Sequence, residues 1–173
     1  PSVPGYLYGV KDNNVYVNLF AASTSTVQVN GKDVTLEQTT EYPWQGDITL
    51  RVKQCKAKGT NLLVRVPGWV RNQVVPSDLY AYSDTLRPAY SITVNGKTVT
   101  ADLEKTNGYV PVCGVKRGDV VRIHFDMPVR TVIANSKVAD DCGKVAVERG
   151  PLVYCAEAVD NGGSPVLRAV VNK

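Results

Sequence analysis

The sequence predicts an all-β fold, an antiparallel two-sheet β-sandwich with little or no helix. Apolar and polar residues alternate over many short runs, which is typical of strands with one buried face. Turn signals recur at intervals near about ten residues, as in sandwich folds. No segment carries apolar residues at i, i+3, i+4 and i+7 over three turns, so no long helix is expected.

The clearest local signal is Asn30-Gly31, which lies between the alternating runs 26–29 and 32–36. Asn-Gly accepts the positive φ angles of a type I′ turn, so the run predicts a tight hairpin. Asn95-Gly96 predicts a second hairpin by the same chemistry. The sequences that flank the two turns do not match each other, which disfavours a repeat protein of the adhesin type.

Further runs predict the remaining strands. Residues 48–54 alternate and should have one wet face, whereas 61–69 are more continuously apolar and suit a central strand that Pro67-Gly68 ends. Residues 72–90 show no period and are interpreted as an insertion-like loop. Other predicted strands are 6–10, 15–21, 108–112, 119–126 and 128–134.

The least generic stretch is 144–157, two apolar runs joined by Arg149-Gly150-Pro151. Gly150 tolerates unusual backbone angles and Pro151 lacks an N–H group, so the stretch predicts a corner between two strands. We therefore expect residues 1–160 to form a β-sandwich accessory domain. Residues 161–173 would add a last strand or begin a following module.

Charge and hydropathy argue against two classes of partner. The formal net charge is +4, but no basic run is interleaved with aromatic residues as nucleic-acid binding requires. No apolar run approaches the roughly 18 residues of a membrane span. The first residues lack the features of a signal peptide. The localisation therefore stays open, and a periplasmic or secreted location is compatible with the sequence if the chain is part of a longer parent protein.

The four cysteines give no metal-binding pattern, since they lack C-x-x-C spacing and the chain has a single histidine. Two disulfides, in any of three pairings, remain an alternative in an oxidising compartment. We favour free and mostly buried thiols. No metal site is predicted in this chain.

No catalytic residue is predicted either. Paired carboxylates are what a glycosidase needs, but the sequence pairs none of the six candidates by type. His124 has no serine or cysteine in a nucleophile context beside it, and is expected to be a partly exposed strand residue. The six carboxylates are Glu37, Glu41, Asp47, Glu104, Glu148 and Glu157.

Aromatic residues in predicted connections suggest contacts outside the domain. Trp44 is a candidate sugar contact, because sugar rings stack on exposed aromatic faces. The other interpretation is that Trp44 and Trp69 cover the ends of the sandwich or an interface with another domain. Tyr80 and Tyr82 lie in the long 72–90 segment and are candidates for a domain interface.

Seven motifs occur in an order that resembles the C-terminal β-sandwich region of glycoside hydrolase family 127. The likeness extends from Tyr6 to about Asn161, while residues 72–90 match no pattern of that family. The motifs are Tyr16 to Thr24, Gln38 to Gly46, Val64 to Trp69, Gly108 to Val110, Gly118 to Val121, Met127 to Arg130, and Glu148 to Cys155.

The resemblance implies an N-terminal (α/α)6 barrel and retaining β-L-arabinofuranosidase activity in the parent protein. It also implies that a zinc-bound cysteine nucleophile and a glutamate acid/base lie in that barrel. This chain has no adjacent cysteine pair, so no catalytic or zinc-binding residue carries over to it. Cys155 matches a family position only in the corner motif, and zinc is expected for the parent's barrel alone.

The chain is therefore interpreted as an excised, non-catalytic β-sandwich that braces the parent's catalytic barrel and is inactive alone. Arg65, Trp69, Tyr80 and Tyr82 are the candidate interface residues, and Arg65 offers a planar set of donors for such a surface. The alternative is a carbohydrate-binding module that holds a plant-type glycan through Trp44 or the tyrosines.

Overall fold

The computed structural model describes residues 2–170, in which strands dominate and the helical segments are single 3-10 turns. The all-β prediction is confirmed. The strands are β1 Tyr8–Lys11, β2 Asn14–Val17, β3 Ser23–Val29, β4 Lys32–Thr40, β5 Asp47–Cys55, β6 Asn61–Arg65, β7 Tyr80–Tyr82, β8 Tyr90–Val94, β9 Lys97–Thr98, β10 Tyr109–Val112, β11 Val120–Phe125, β12 Val129–Ala134, β13 Val145–Arg149 and β14 Leu152–Tyr154. The 3-10 turns are Val3–Tyr6, Gly68–Arg71, Ala139–Asp141, Val159–Asn161 and Val166–Arg168.

The chain divides into two compact units. Among the described residues, unit 1 comprises 2–67 and 89–126, and unit 2 comprises 68–88 and 127–170. The segment 72–90 therefore falls mostly within unit 2, where its residues 80–82 form β7. A short strand of this kind has too few residues to show a period, which is why the sequence predicted only a loop.

Unit 1 contains two sheets. Sheet A has the order β1-β2-β6-β10, and sheet B has the order β3-β4-β5-β11-β8-β9. Pairing is antiparallel except between β2 and β6, which run parallel. The alternation of the strands buries one row of side chains from each sheet. Buried residues of these rows are Val15, Val17, Leu62, Val64, Val110, Val34, Leu36, Ile48, Leu50, Val121 and Ile123.

Both predicted Asn-Gly hairpins are present. Asn30 and Gly31 have φ angles of 49° and 71° and join β3 to β4, and Asn95 and Gly96 have 50° and 83° and join β8 to β9. Two consecutive positive φ angles are those of a type I′ turn, which matches the twist of the paired strands.

Unit 2 contains one four-stranded antiparallel sheet, sheet C, with the order β14-β13-β12-β7. The predicted corner at Gly150-Pro151 is a tight hairpin, because Arg149 of β13 pairs directly with Leu152 of β14. Residues 161–173 were predicted to add a last strand or to begin a following module, and the described part of the apolar run 166–171 contains the 3-10 turn Val166–Arg168. Residues 171–173 of that prediction lie outside the described residues.

No helix within residues 2–170 is long and apolar enough to span a membrane. The predicted domain boundary at residue 160 stays a prediction.

Candidate functional site

Arg130 of β12 lies at the centre of a polar cluster in unit 2, with only 4% of its side chain exposed. Its Nη2 donates to Asp84 Oδ1 at 2.7 Å and to Asn72 Oδ1 at 2.6 Å, and its Nε donates to Asp84 Oδ2 at 3.3 Å. The two contacts with Asp84 form a bidentate ion pair, the strongest arrangement open to a guanidinium and a carboxylate.

Tyr82 of β7 connects this arginine to the corner motif. The Arg130 Cζ atom lies 3.4 Å from the centroid of the Tyr82 ring, within the range of a cation–π contact. The Tyr82 hydroxyl donates to Glu148 Oε2 at 3.0 Å. Burial of the phenol and then the nearby Glu148 carboxylate raise the pKa of Tyr82, so the hydroxyl remains a hydrogen-bond donor.

These five residues, Asn72, Tyr82, Asp84, Arg130 and Glu148, are called the Arg130 cluster below. Its members lie before β7, in β7 itself, in the turn after β7, and in the strands β12 and β13. It contains no serine or cysteine nucleophile beside a base, and its charged groups already bind one another. Such an arrangement suits holding strands together better than it suits a chemical step.

The Gly150-Pro151 turn ends β13 just after Glu148. Gly150 has a φ of +59°, a conformation that side chains disfavour. A Cβ atom at this position would lie 2.6 Å from Met127 Cε, so the turn packs closely against Met127. The motif thus places Glu148 opposite Arg130 in the register of β13 and β12.

His124 forms a second polar group, in unit 1. Its Nδ1 lies 2.7 Å from Asp47 Oδ1 and its Nε2 lies 3.0 Å from Asp126 Oδ1. Hydrogen bonding to Asp47 and then to Asp126 raises the pKa of His124, since both carboxylates favour the imidazolium form. The side chain is 47% exposed, in agreement with the partly exposed strand histidine that the sequence predicted.

The predicted interface and sugar-contact residues have different surroundings. Trp44 follows β4 in unit 1 and is 67% exposed. The guanidinium of Arg65 donates from Nη1 to the carbonyl oxygen of Asn18 at 3.4 Å. Trp69 is half-buried and lies in the 3-10 turn Gly68–Arg71 of unit 2.

The structure places Tyr80 and Tyr82 together on β7. The Tyr80 hydroxyl donates to Asp141 Oδ2 at 3.0 Å, and this hydrogen bond raises the pKa of Tyr80. Both tyrosines therefore bind carboxylates within unit 2. Their assignment to an interface with another domain, like that of Arg65 and Trp69, stays a prediction.

The carboxylates and cysteines make no recognisable reactive centre among residues 2–170. Glu37 pairs with Lys53 at 3.5 Å, Asp47 binds His124, and Glu148 binds Tyr82. The cysteines are free, but the expectation that they are mostly buried is wrong: Cys55 is half-buried and the other three are exposed. They lie near strand ends and turns, where alternation gives no guide to burial.

Within residues 2–170, no group of three or more His, Cys, Asp and Glu side chains could hold a metal ion. The two carboxylates at His124 also bind opposite ring nitrogens, so they do not converge on one point. The described residues thus do not fit the zinc that the family resemblance implies, and that zinc stays an expectation for the parent's barrel.

Sequence reasoning missed Arg130 and Asp84. The two residues are 46 positions apart in the chain. Arg130 lies in β12, and the alternation of that strand predicts the face on which its side chain lies but not its partner. The only signal was indirect, since Arg130 belongs to one of the seven ordered motifs.

Two family models together match nearly the whole chain. Residues 14–127 match the model described as "Beta-L-arabinofuranosidase, GH127 middle domain". Residues 129–173 match "Glycoside hydrolase family 127 C-terminal domain". The point between the two matches coincides with the change from unit 1 to unit 2 after Asp126.

The chain is also similar to individual proteins. It is 38% identical to a non-reducing end beta-L-arabinofuranosidase of Bifidobacterium longum subsp. longum, over 94% of this chain and 22% of that protein. A solved GH127 beta-arabinofuranosidase superposes with a TM-score of 0.86 at 50% identity, over 92% of this chain and 25% of the other. A GH127 beta-L-arabinofuranosidase from Geobacillus stearothermophilus T6 has a TM-score of 0.75 at 32% identity, over 93% and 23%. The chain thus spans about a quarter of the length of these relatives.

Proposed function

This chain belongs to glycoside hydrolase family 127, and we propose that it is a non-catalytic β-sandwich region of a β-L-arabinofuranosidase-like enzyme. Its role would be to brace the catalytic barrel of the parent protein. The relatives named above carry the arabinofuranosidase activity, and each is about four times as long as the segment that this chain matches.

The observation that carries the proposal is an exposed apolar face on sheet C. Residues directly opposite one another in antiparallel strands project to the same side of the sheet. The register therefore places one set of side chains together on what we call the outer face of sheet C. The set comprises Ala81, Val129, Thr131, Ile133, Val145, Val147, Arg149, Leu152 and Tyr154.

Most of that face is apolar, yet much of it is open to solvent. Val129 is 64% exposed, and Ile133, Val145 and Tyr154 are exposed as well. The opposite side of the same strands contains the buried Arg130, Val132 and Tyr82. A sheet face of this composition normally packs against another layer, and a contiguous apolar patch marks an interaction surface.

The occupant that we propose for the outer face of sheet C is the remaining polypeptide of the parent enzyme. The relatives contain three quarters of their length beyond the region that this chain matches. The family resemblance implies that this remainder includes the helical barrel with its cysteine nucleophile and zinc. Burial of valine, isoleucine and tyrosine side chains would then stabilise the joint between the two parts.

An experiment with the two parts produced separately tests both halves of the proposal. The chain alone should show no hydrolysis of an aryl β-L-arabinofuranoside, and it should bind the remainder of the parent in a calorimetric titration. Val129→Asp should weaken that binding by at least about tenfold, because it puts a charge into an apolar contact.

The matched control is Val159→Asp, which introduces the same charge at a valine that is 78% exposed in a 3-10 turn. This variant should bind the remainder as the original chain does. Turnover by the chain alone would contradict the non-catalytic role, and equal binding by both variants would exclude the outer face of sheet C as the contact.

A further inference from the structure

A shallow polar groove of about 410 Å³ lies on the solvent side of sheet B in unit 1. Three strands form its floor, β5, β11 and β8, which are neighbours in the sheet. The inward residues of these strands, such as Ile48 and Ile123, belong to the buried core. The outward residues are polar and line the groove: Asp47, Thr49, Ser91, Thr93, Arg122 and His124.

The strand register arranges these six side chains as two parallel rows. Asp47, His124 and Ser91 are direct partners across β5, β11 and β8, and Thr49, Arg122 and Thr93 form the next outward row. Neighbouring strands lie about 4.8 Å apart, and successive outward residues of one strand lie about 6.7 Å apart. The rows therefore present hydroxyl, carboxylate and guanidinium groups over an area comparable to one or two sugar rings.

Four of the six groove residues carry polar groups that no other described side chain binds. Some polar groups of the same sheet do pair within the protein: Thr26 bonds to Thr35 at 2.9 Å, and Glu37 forms an ion pair with Lys53. Within residues 2–170, the Arg122 guanidinium and the hydroxyls of Thr49, Ser91 and Thr93 make no side-chain hydrogen bond or ion pair. These donors and acceptors remain available to a ligand.

Hydrogen bonds connect His124 to the two neighbouring aspartates on one side of the groove. The His124 ring is fixed between Asp47 and Asp126, each through one oxygen of its carboxylate. Asp47 lines the groove, and its bond to His124 uses Oδ1, so its second carboxylate oxygen can accept a hydrogen bond from a ligand. A fixed acceptor beside an arginine is a suitable arrangement for a pair of adjacent sugar hydroxyls, which both donate and accept hydrogen bonds.

Charge decides between neutral and anionic ligands. Arg122 and a protonated His124 bring positive charge, and Asp47 and Asp126 balance it. Asp47 lines the groove and Asp126 lies 3.0 Å from His124 Nε2, so an anionic ligand would meet no net positive charge there. A neutral polyhydroxylated ligand needs no such charge and can still use every group in the two rows.

We propose that this groove on sheet B is a binding site for a neutral oligosaccharide, with Arg122 and Asp47 as its main hydrogen-bonding residues. The site would hold a glycan chain through hydrogen bonds, without an aromatic platform at its floor. It goes beyond the bracing role and does not depend on it, because unit 1 alone supplies all six residues.

The test is an NMR titration of the ¹⁵N-labelled chain with neutral arabino-oligosaccharides, with oligogalacturonides as the anionic comparison. Saturable shifts are expected for the amides of Thr49, Ser91, Thr93 and Arg122 with the neutral ligand. Arg122→Gln should weaken binding about tenfold, because it removes hydrogen bonds from a charged donor. Arg117→Gln is the matched control, since Arg117 is exposed in the turn before β11 and lies outside the groove.

Four results would overturn the proposal. The first is the absence of saturable shifts at millimolar neutral oligosaccharide, and the second is equal affinity in the Arg122→Gln and Arg117→Gln variants. The third is a loss of binding in Trp44→Ala with none in Arg122→Gln, which would assign glycan binding to the exposed Trp44 ring instead. Tighter binding of the oligogalacturonide would contradict the choice of a neutral ligand.

Discussion

The two units of this chain are stabilised in different ways. Unit 1 has two sheets and a large apolar core, whereas among the described residues of unit 2 the buried apolar side chains are Val70, Tyr82, Pro88 and Val132. Unit 2 instead contains the buried Arg130 and its bidentate pair with Asp84. Its single sheet leaves the apolar outer face open.

The difference indicates which unit can stand alone. Burial of apolar area is the main stabilising contribution in a domain, and unit 1 has that burial within itself. Unit 2 relies on a polar cluster that joins distant segments, and ion pairs with desolvated groups add little net stability. We therefore expect unit 1 to be the more stable of the two.

The largest effect should come from the core of unit 1. Leu50→Ala removes a fully buried side chain of β5 and should lower the free energy of unfolding of unit 1 by about 3 kcal/mol. Urea denaturation followed by Trp44 fluorescence in a Trp69→Phe background measures this, because Trp44 belongs to unit 1.

The control for that measurement is Val10→Ala, at a valine of unit 1 that is 42% exposed. It should change the unfolding free energy by less than about 0.5 kcal/mol. Equal effects of the two substitutions would show that the two-sheet core does not determine the stability of unit 1.

A smaller effect is expected from the Arg130 cluster. Arg130→Met should destabilise unit 2 by about 2 kcal/mol, since Asp84 loses its bidentate partner and the Tyr82 ring loses the guanidinium. The value lies below that of a fully buried pair because the Asp84 side chain is 40% exposed. Trp69 fluorescence in a Trp44→Phe background reports this unfolding, as Trp69 belongs to unit 2.

Arg168→Met is the control, because it removes a guanidinium from an exposed position of unit 2. In a separate Trp69→Phe background, the unfolding reported by Trp44 should not change when Arg130→Met is introduced. A parallel loss of stability reported by both tryptophans would mean that the units unfold together. That result would contradict a separate stability for each unit.

The smallest effect concerns pH and His124. Because the folded pKa of His124 is raised above the ordinary value of 6.5, its contribution to stability is complete below that value and is lost as pH rises through the folded pKa. The groups that face His124 are Asp47 from β5, Ser91 from β8 and Arg122 from β11, the strand of His124 itself. Asp126, just after the end of β11, also faces it. For a pair this exposed we expect about 0.5 kcal/mol or less.

The chain has a single histidine, so one imidazole resonance in a proton NMR titration gives the pKa directly. Asp47→Asn should shift that pKa back towards the ordinary value and reduce the pH dependence of unfolding. Asp33→Asn serves as the control, because Asp33 forms a salt bridge with Lys56 away from His124. An unshifted pKa in the original chain would rule out the bonding between His124 and the two aspartates.

Much of the fold was predictable because its signals are local. Alternating and continuous apolar runs identified β5, β6, β10, β11 and β12, and the Asn-Gly pairs identified both hairpins. The run 15–21 was predicted too long, since β2 ends at Val17. The short β7 was missed because three residues are too few to show the pattern by which the other strands were found.

The candidate sites were less accessible to sequence reasoning. Arg130, Asp84 and Glu148 meet only because β12 lies between β13 and β7 in sheet C. The groove of sheet B depends likewise on β11 lying between β5 and β8, strands that are distant in the chain. Neither strand order follows from the composition or period of any single run.

Local signals in the sequence were enough to predict most of the strands, the two Asn-Gly turns and, through seven ordered motifs, the family of this chain. Turn chemistry and side-chain alternation are local properties, and an ordered motif set is specific without any geometry. The tertiary structure alone decided which strands are neighbours and which side of each sheet meets solvent. Those choices depend on long-range pairing, so the Arg130 cluster, the outer face of sheet C and the groove of sheet B became visible only in the folded chain.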